Sequence, residues 1–191
     1  MPFDPQKHRR RSIRLKGYDY SQAGAYFVTI CTYQRECLLG DIVDGEMVLN
    51  ELGEIIRQEW FKSGRIRTNV ELHDDEFVVM PNHVHGIIWI KAPDVGARRR
   101  RAPTKEEFGK PVPGSITTII RGYKSAVTRR INQLQDTPSA PVWQRNYYER
   151  VVRNHRELDA ILKYIQNNPQ QWDQDRENPE VALANQEINY E

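Results

Sequence analysis

The chain is poor in cysteine, with only Cys31 and Cys37 among 191 residues. There is no Cys-x-x-Cys pair, which excludes a zinc ribbon or finger. The two thiols stand six apart on what read as neighbouring strands, and without a secretory signal they are expected to be reduced and simply packed. Long apolar runs are lacking as well. None exceeds the four residues Ile87-Ile88-Trp89-Ile90, far short of the ~20 needed to cross a bilayer. The start, Met1 to His8, carries no apolar segment of the signal-peptide kind, so the expectation is a cytoplasmic protein with no membrane partner. Net charge is only +2 and the apolar fraction 38%, enough for one domain with a real core.

What is present is unevenly distributed. Arg9, Arg10, Arg11, Arg14 and Lys16 crowd the first residues, Arg98 to Arg101 is an uninterrupted arginine run, and the stretch from Asp173 is acidic. The expected organisation is a basic arm over 1–24, a domain over 25–172 and an acidic tail over 173–191. A basic surface of this kind suits a polyanion, although charge runs are more commonly just solvated.

Within the domain, Tyr26 to Tyr33 is β-branched and aromatic and reads as a strand. Cys37-Leu38-Leu39 and Met47-Val48-Leu49 are expected to form a small hairpin. Asn50 caps a helix from Glu51 to about Ser63, with Leu52, Ile55, Ile56 and Trp60 on one face. Val70 to Met80 reads as a strand that turns at Pro81 into another, His83 to Ile90. Residues 92–112 read as a surface loop. A helix from Ser115 to Leu134 follows, its apolar face made by Ile116, Ile119, Ile120, Tyr123, Val127 and Ile131, with Arg121 and Lys124 off that face. A strand over Tyr147 to Val152 and a helix from His155 to Asn167, capped by Asn154 with Glu157, complete the order β-α-β-β-α-β plus a helix. That is an α+β, ferredoxin-like (split βαβ) sandwich with an antiparallel sheet.

Chemistry is concentrated in two places. His83 and His85 alternate on a strand and therefore share a face, two corners of a divalent-metal site. Such a pair alone is commonly incidental. On the last helix, Leu158, Ile161, Leu162 and Ile165 form the apolar stripe. Steps of 100° then place Glu157, Tyr164 and Asn168 together on a second face, roughly 90° away. Tyr164 and Asn168 are neighbours one turn apart. By spacing alone, the favoured account is that Tyr164 is an amphipathic boundary residue and Asn168 frays the helix before Pro169.

The stretch Val78 to Ile87, containing Pro81-Asn82-His83-Val84-His85, resembles the His-hydrophobe-His signature of the single-tyrosine HUH transposases. Trp143-Gln144-Arg145-Asn146-Tyr147-Tyr148-Glu149-Arg150-Val151-Val152-Arg153-Asn154 and Tyr164-Ile165-Gln166-Asn167-Asn168-Pro169 are most similar to the REP-associated tyrosine transposases. The resemblance runs in order from Tyr26 to Pro169. It implies an enzyme that cuts and rejoins single-stranded DNA beside a hairpin through a 5′-phosphotyrosine link, with the tyrosine on the C-terminal helix. Carried onto this chain, Tyr164 is the nucleophile and His83, His85 and Asn168 hold Mg²⁺ or Mn²⁺. It further implies a nucleoid-associated protein of a prokaryote, acting as a monomer or a homodimer.

Other tyrosines fit the role less well. Tyr147 and Tyr148 are adjacent and on a strand face opposite ways; packing or base stacking suits them better. For phosphate contacts the candidates are Arg9, Arg10, Arg11, Arg14, Lys16, Arg121 and Lys124, with Tyr18 and Tyr20 as stacking residues. Two rival classes remain in view. A metal-dependent nucleotide hydrolase of the histidine-triad kind would want a further histidine where Ile87 stands. A non-catalytic nucleic-acid-binding module on the same fold, stacking through Tyr26, Phe27 and Tyr33, would want a Lys/Arg-Gly-aromatic motif that the chain lacks.

Overall fold

The computed structural model describes residues 18–92 and 112–181. Strand β1, Gly24–Cys31, lies at the centre, antiparallel to β6, His83–Ile90, on one side and to β7, Tyr148–Val152, on the other. The far side of β6 is shared by two short strands. β4, Val70–Glu71, pairs with its C-terminal end and β5, Phe77–Met80, with its N-terminal end. The resulting order, with every neighbour antiparallel, is the expected ferredoxin-like sheet.

Alternation along β1 and β6 divides the molecule into two layers. Tyr26, Val28, Ile30, Val84, Ile88 and Ile90 point into the larger core, which is closed by α1, Glu51–Arg65, and α2, Ile116–Gln135. All six apolar residues expected on the buried face of α2 are buried. Ala25, Phe27 and Ile87 point the other way, against Ile161 and Ile165 of α3, His155–Asn167. The last helix thus folds back over the sheet face that carries His83 and His85. Both helix starts behave as their sequences indicate. Asn50 accepts from the amides of Leu52 and Gly53. Asn154 accepts from the amide of Glu157, whose carboxylate in turn accepts from the amide of Arg153.

Four expectations need correction. The small hairpin is β2, Gly40–Val43, with β3, Glu46–Leu49, rather than one starting at Cys37. Its two-residue loop Asp44-Gly45 has positive φ at both positions (52° and 79°), the backbone that Asp-Gly adopts most readily between strands. Cys37 accordingly lies in the preceding loop, exposed, and both thiols are free. Val70 to Met80 is not one strand. Asp74-Asp75-Glu76 turn through a 3-10 segment, because three consecutive carboxylates are poor strand formers; Glu76 is buried there and accepts from the indole N–H of Trp89. Tyr20 is a core residue, only 4% exposed, so it is not available to stack on a base. Finally, the segment after residue 172 does not leave the domain at once. A 3-10 helix, Pro169–Gln174, carries the chain back across the sheet end, and Asp175 and Asn178 are buried.

Of the remaining expectations, the arm residues Arg9, Arg10, Arg11, Arg14 and Lys16 and the run Arg98 to Arg101 lie outside the described residues. No helix among the described residues is long and apolar enough to cross a membrane.

Candidate metal and tyrosine site

The β5–β6 turn, Pro81-Asn82, is the minimum hairpin that joins Met80 to its partner His83, and it places both histidines at the start of a strand buried everywhere but at Trp89. His83 and His85 are 0% and 2% exposed. Across the sheet they pair in register with Cys31 and Thr29 of β1. Each ring is held by its Nδ1 side. Asn82 Oδ1 lies 2.8 Å from His83 Nδ1, and Thr29 Oγ1 lies 2.9 Å from His85 Nδ1. The Asn82 amide nitrogen donates to the carbonyls of Arg35 and Glu177, so its oxygen must be the atom facing His83. His83 therefore carries its proton on Nδ1 and presents an unprotonated Nε2 to the site. The two Nε2 atoms converge at 2.9 Å.

Tyr164 reaches the same point from α3, with its hydroxyl 3.1 Å from His85 Nε2. Phe27 stacks on His85 at 5.5 Å between ring centres and meets Tyr164 edge-on at 6.1 Å, so the imidazole and the phenol share one aromatic wall. The Tyr164 side of α3 is open: this residue is 41% exposed, whereas Asn168, one turn on, is 1% exposed. The Asn168 amide nitrogen donates to Asp175 Oδ2 at 3.1 Å, and its Oδ1 is buried with no hydrogen-bond partner.

Asp175 is the residue that sequence reasoning missed. Its Oδ2 stands 3.9 Å from His83 Nε2, and His83, His85 and Asp175 bring their ligand atoms within 4.8 Å of one another. Its other oxygen accepts from the amide of Glu177 at 2.7 Å, a local Asx turn that holds the carboxylate. The Glu177 side chain is tied by Arg35 at 2.9 Å and accepts from the Cys31 thiol. Nothing periodic marks this segment; the one sequence signal is an Asp followed two residues later by another polar residue after a helix-stopping proline.

Burial dominates the acid–base state. It lowers His83 to about 4 and His85 well below its ordinary value, so both are neutral around pH 7. Partial burial, then the Asp175 charge, push the Tyr164 phenol up to about 12, with the Asn168 amide pulling in the other direction. Two neutral imidazoles, an orphaned amide oxygen and a carboxylate form a donor set with unused lone pairs, and an unpaired buried oxygen is costly unless something meets it. The donors fit a divalent cation.

Arg121 is exposed on α2 and lies on the opposite layer from this site. Lys124 does not look outward as expected. Its ammonium group donates to the carbonyls of Gln144, Arg145 and Asn146, and burial lowers it to about 8. A helical wheel places it beside the apolar face but cannot show the loop that folds over it. Tyr147 and Tyr148 do face opposite layers, the first against the larger core and the second against the α3 side.

The antiparallel sheet, with α1 and α2 on one face and the tyrosine-bearing α3 on the other, forms an α+β sandwich. A solved REP-associated tyrosine transposase bound to a REP hairpin has the same fold, with a TM-score of 0.53 at 18% identity over 83% of this chain and 73% of that one. No family model matches the chain. It is 42% identical over 176 residues to an uncharacterized protein of Haemophilus influenzae, covering 88% of this chain and 93% of that protein, and it belongs to the family of that protein.

Proposed function

We propose that the protein is a metal-dependent tyrosine transposase, cleaving and rejoining single-stranded DNA next to a hairpin. The observation that carries this reading is the placement of the Tyr164 hydroxyl 3.1 Å from His85 Nε2, beside a cluster of metal-type donors. Its similarity in fold to a transposase solved with a REP hairpin supports the same class.

In this reading His83, His85, Asp175 and the Asn168 Oδ1 hold Mg²⁺ or Mn²⁺. The cation, when bound, polarises the scissile phosphate and offsets charge that builds up on it. The chain's own residues do the rest. Tyr164 attacks phosphorus through its hydroxyl oxygen, forming a P–O(Tyr) bond as the P–O3′ bond breaks. The phenolic proton is lost to solvent and the departing 3′ oxygen takes one up, giving a 5′-phosphotyrosine and a free 3′-OH. Because the phosphodiester energy is retained in the tyrosyl link, a 3′-OH can reverse the step without ATP. Phe27 packs against both the phenol and the imidazole, and Asn82 and Thr29 fix the imidazole rings by their far nitrogens.

Incubation with a hairpin-bearing single strand and Mn²⁺ is expected to give a denaturation-resistant protein–DNA adduct, which peptide mapping places on Tyr164. An adduct that persists in Tyr164→Phe sinks the assignment of the nucleophile.

A further inference from the structure

The mechanism leaves unused a groove between β7 and α3 whose inner end is Tyr164. It encloses about 660 Å³ and is walled by Tyr148, Arg150, Arg153, Arg156 and Glu157. Resting on the function proposed above, we infer that this groove is the track of the single DNA strand that leads to Tyr164. Arg153 and Arg156 hold its phosphates, and Tyr148 seats a base.

Strand alternation sets the β7 half of the wall. Tyr148 and Arg150 pair with Thr29 and Phe27 and share their face of the sheet. The connection to α3 then supplies Arg153, and the first turn of the helix supplies Arg156 and Glu157. The charges in the groove are not equivalent. Arg150 is spent on an ion pair with Glu157. Glu157 also accepts from the Arg153 amide, and these contacts, the amide first, hold its carboxyl below the ordinary range. The guanidinium groups of Arg153 and Arg156 make no ion pair among the described residues and are exposed. One carboxylate is thus matched by one arginine, and two cations remain for a ligand. They stand at the N-terminal end of α3, where the helix dipole also favours an anion.

Dimensions favour a strand over a small anion. From Arg156 to Tyr164 the helix advances about 12 Å, room for roughly three nucleotides at the ~3.4 Å rise of a stacked strand. The floor is aromatic. Tyr148 meets Phe27 edge-on at 6.3 Å, which fixes its ring as a platform on which any base can stack. Phosphate contacts at one end, a stacking ring in the floor and the half-exposed Tyr164 at the other end match a polynucleotide chain in sequence-tolerant contact.

The test uses the Tyr164→Phe protein, so that binding is read without cleavage. Anisotropy of fluorescein-labelled oligothymidylate is followed over a salt series. Arg153→Ala/Arg156→Ala is expected to weaken binding about tenfold at low salt and to reduce the slope of log K against log salt by about 1.4, two single-strand phosphate contacts. The double lysine variant should keep most of that slope. Tyr148→Ala should weaken binding roughly tenfold with the slope unchanged. Arg57→Ala, exposed on α1, serves as a surface control and should change neither quantity. A double alanine variant with unaltered affinity and slope overturns the phosphate track, and an unaltered Tyr148→Ala overturns the base seat. The two proposals fail separately. If the otherwise native protein forms the tyrosine adduct while the groove variants bind normally, the track is wrong and the enzyme reading stands. If no adduct forms but the variants lose oligothymidylate, the groove stands and the enzyme reading falls.

Discussion

His83 Nε2 and His85 Nε2 lie 2.9 Å apart, aimed at each other from the same face of one strand. Two lone pairs cannot face each other at that distance, so either a proton or a cation must lie between them. In the metal-free protein His85 meets the requirement by protonating Nε2 and accepting from the Thr29 hydroxyl at Nδ1. With a cation the proton belongs on Nδ1, and the same hydroxyl turns round to accept it. A hydroxyl can do both, which explains why Thr29 rather than a carbonyl stands opposite His85.

Metal affinity follows from that arrangement. Mn²⁺ binding, read by electron paramagnetic resonance or calorimetry in the absence of DNA, should be lost in His83→Ala and His85→Ala. Asp175→Ala should weaken it roughly a hundredfold, and Asn168→Ala to a lesser degree because an amide oxygen brings no charge. Unchanged Mn²⁺ affinity in Asp175→Ala would remove the carboxylate from the donor set.

Thr29→Val tests the positioning role separately from the ligands. The hydroxyl touches no ligand position, only His85 Nδ1, and valine keeps the shape and β-propensity of the strand. Loss of such an outer partner typically costs 10–100-fold in metal affinity. The expected result is a loss in that range with an unchanged far-UV spectrum; equal Mn²⁺ affinity in the two proteins would reduce Thr29 to packing.

The contrast between Thr29 and Asp175 shows what sequence could reveal about the site. Strand and helix periods put the histidines on one face and Tyr164 beside Asn168, the family resemblance singled the four out, and the folded chain brings them together. The sheet order was legible for the same reason, since hydrophobic periods and the caps at Asn50 and Asn154 mark most of the elements. Asp175 lies on an irregular segment after Pro169, where no period applies and an acidic composition reads as solvated tail. Lys124 fails for the converse reason: its helical position is right, but the loop at 144–146 that captures it is brought near only by tertiary structure. Arg153 sits in a motif noted for its family likeness and Arg156 lies just beyond it, and only the fold shows that they border a groove.

Acid should destabilise the metal-free protein through the buried histidines. Unfolded histidine titrates at 6.5 and folded His83 at about 4, so between these values the unfolded chain binds the proton and the native one does not. The His83 contribution therefore makes stability fall as pH drops through that window and levels off below it. Each histidine contributes a slope of at most about 1.4 kcal/mol per pH unit. Urea unfolding in EDTA should show the fall, and His83→Gln should remove one histidine's share. An identical slope in wild type and His83→Gln would mean that other groups carry the pH dependence.

Gly86 links the large core to the site, because it stands between His85 and Ile87 on β6. A methyl group at this position would lie 2.5 Å from Cζ2 of Trp60 and 3.0 Å from Cδ2 of Phe77. Those two rings are stacked at 4.6 Å between centres and 16° between planes, so neither can yield without disturbing the other. Gly86→Ala is expected to cost about 1–3 kcal/mol by overpacking and, by pushing β6 away from α1, to weaken Mn²⁺ binding as well. Trp60→Phe should restore part of both losses, since the smaller ring vacates the space and the Trp60 indole N–H has no partner to lose. In a double-mutant cycle the two changes should then be less destabilising together than their sum. Strict additivity would show that the Trp60 ring is not what requires glycine at this position.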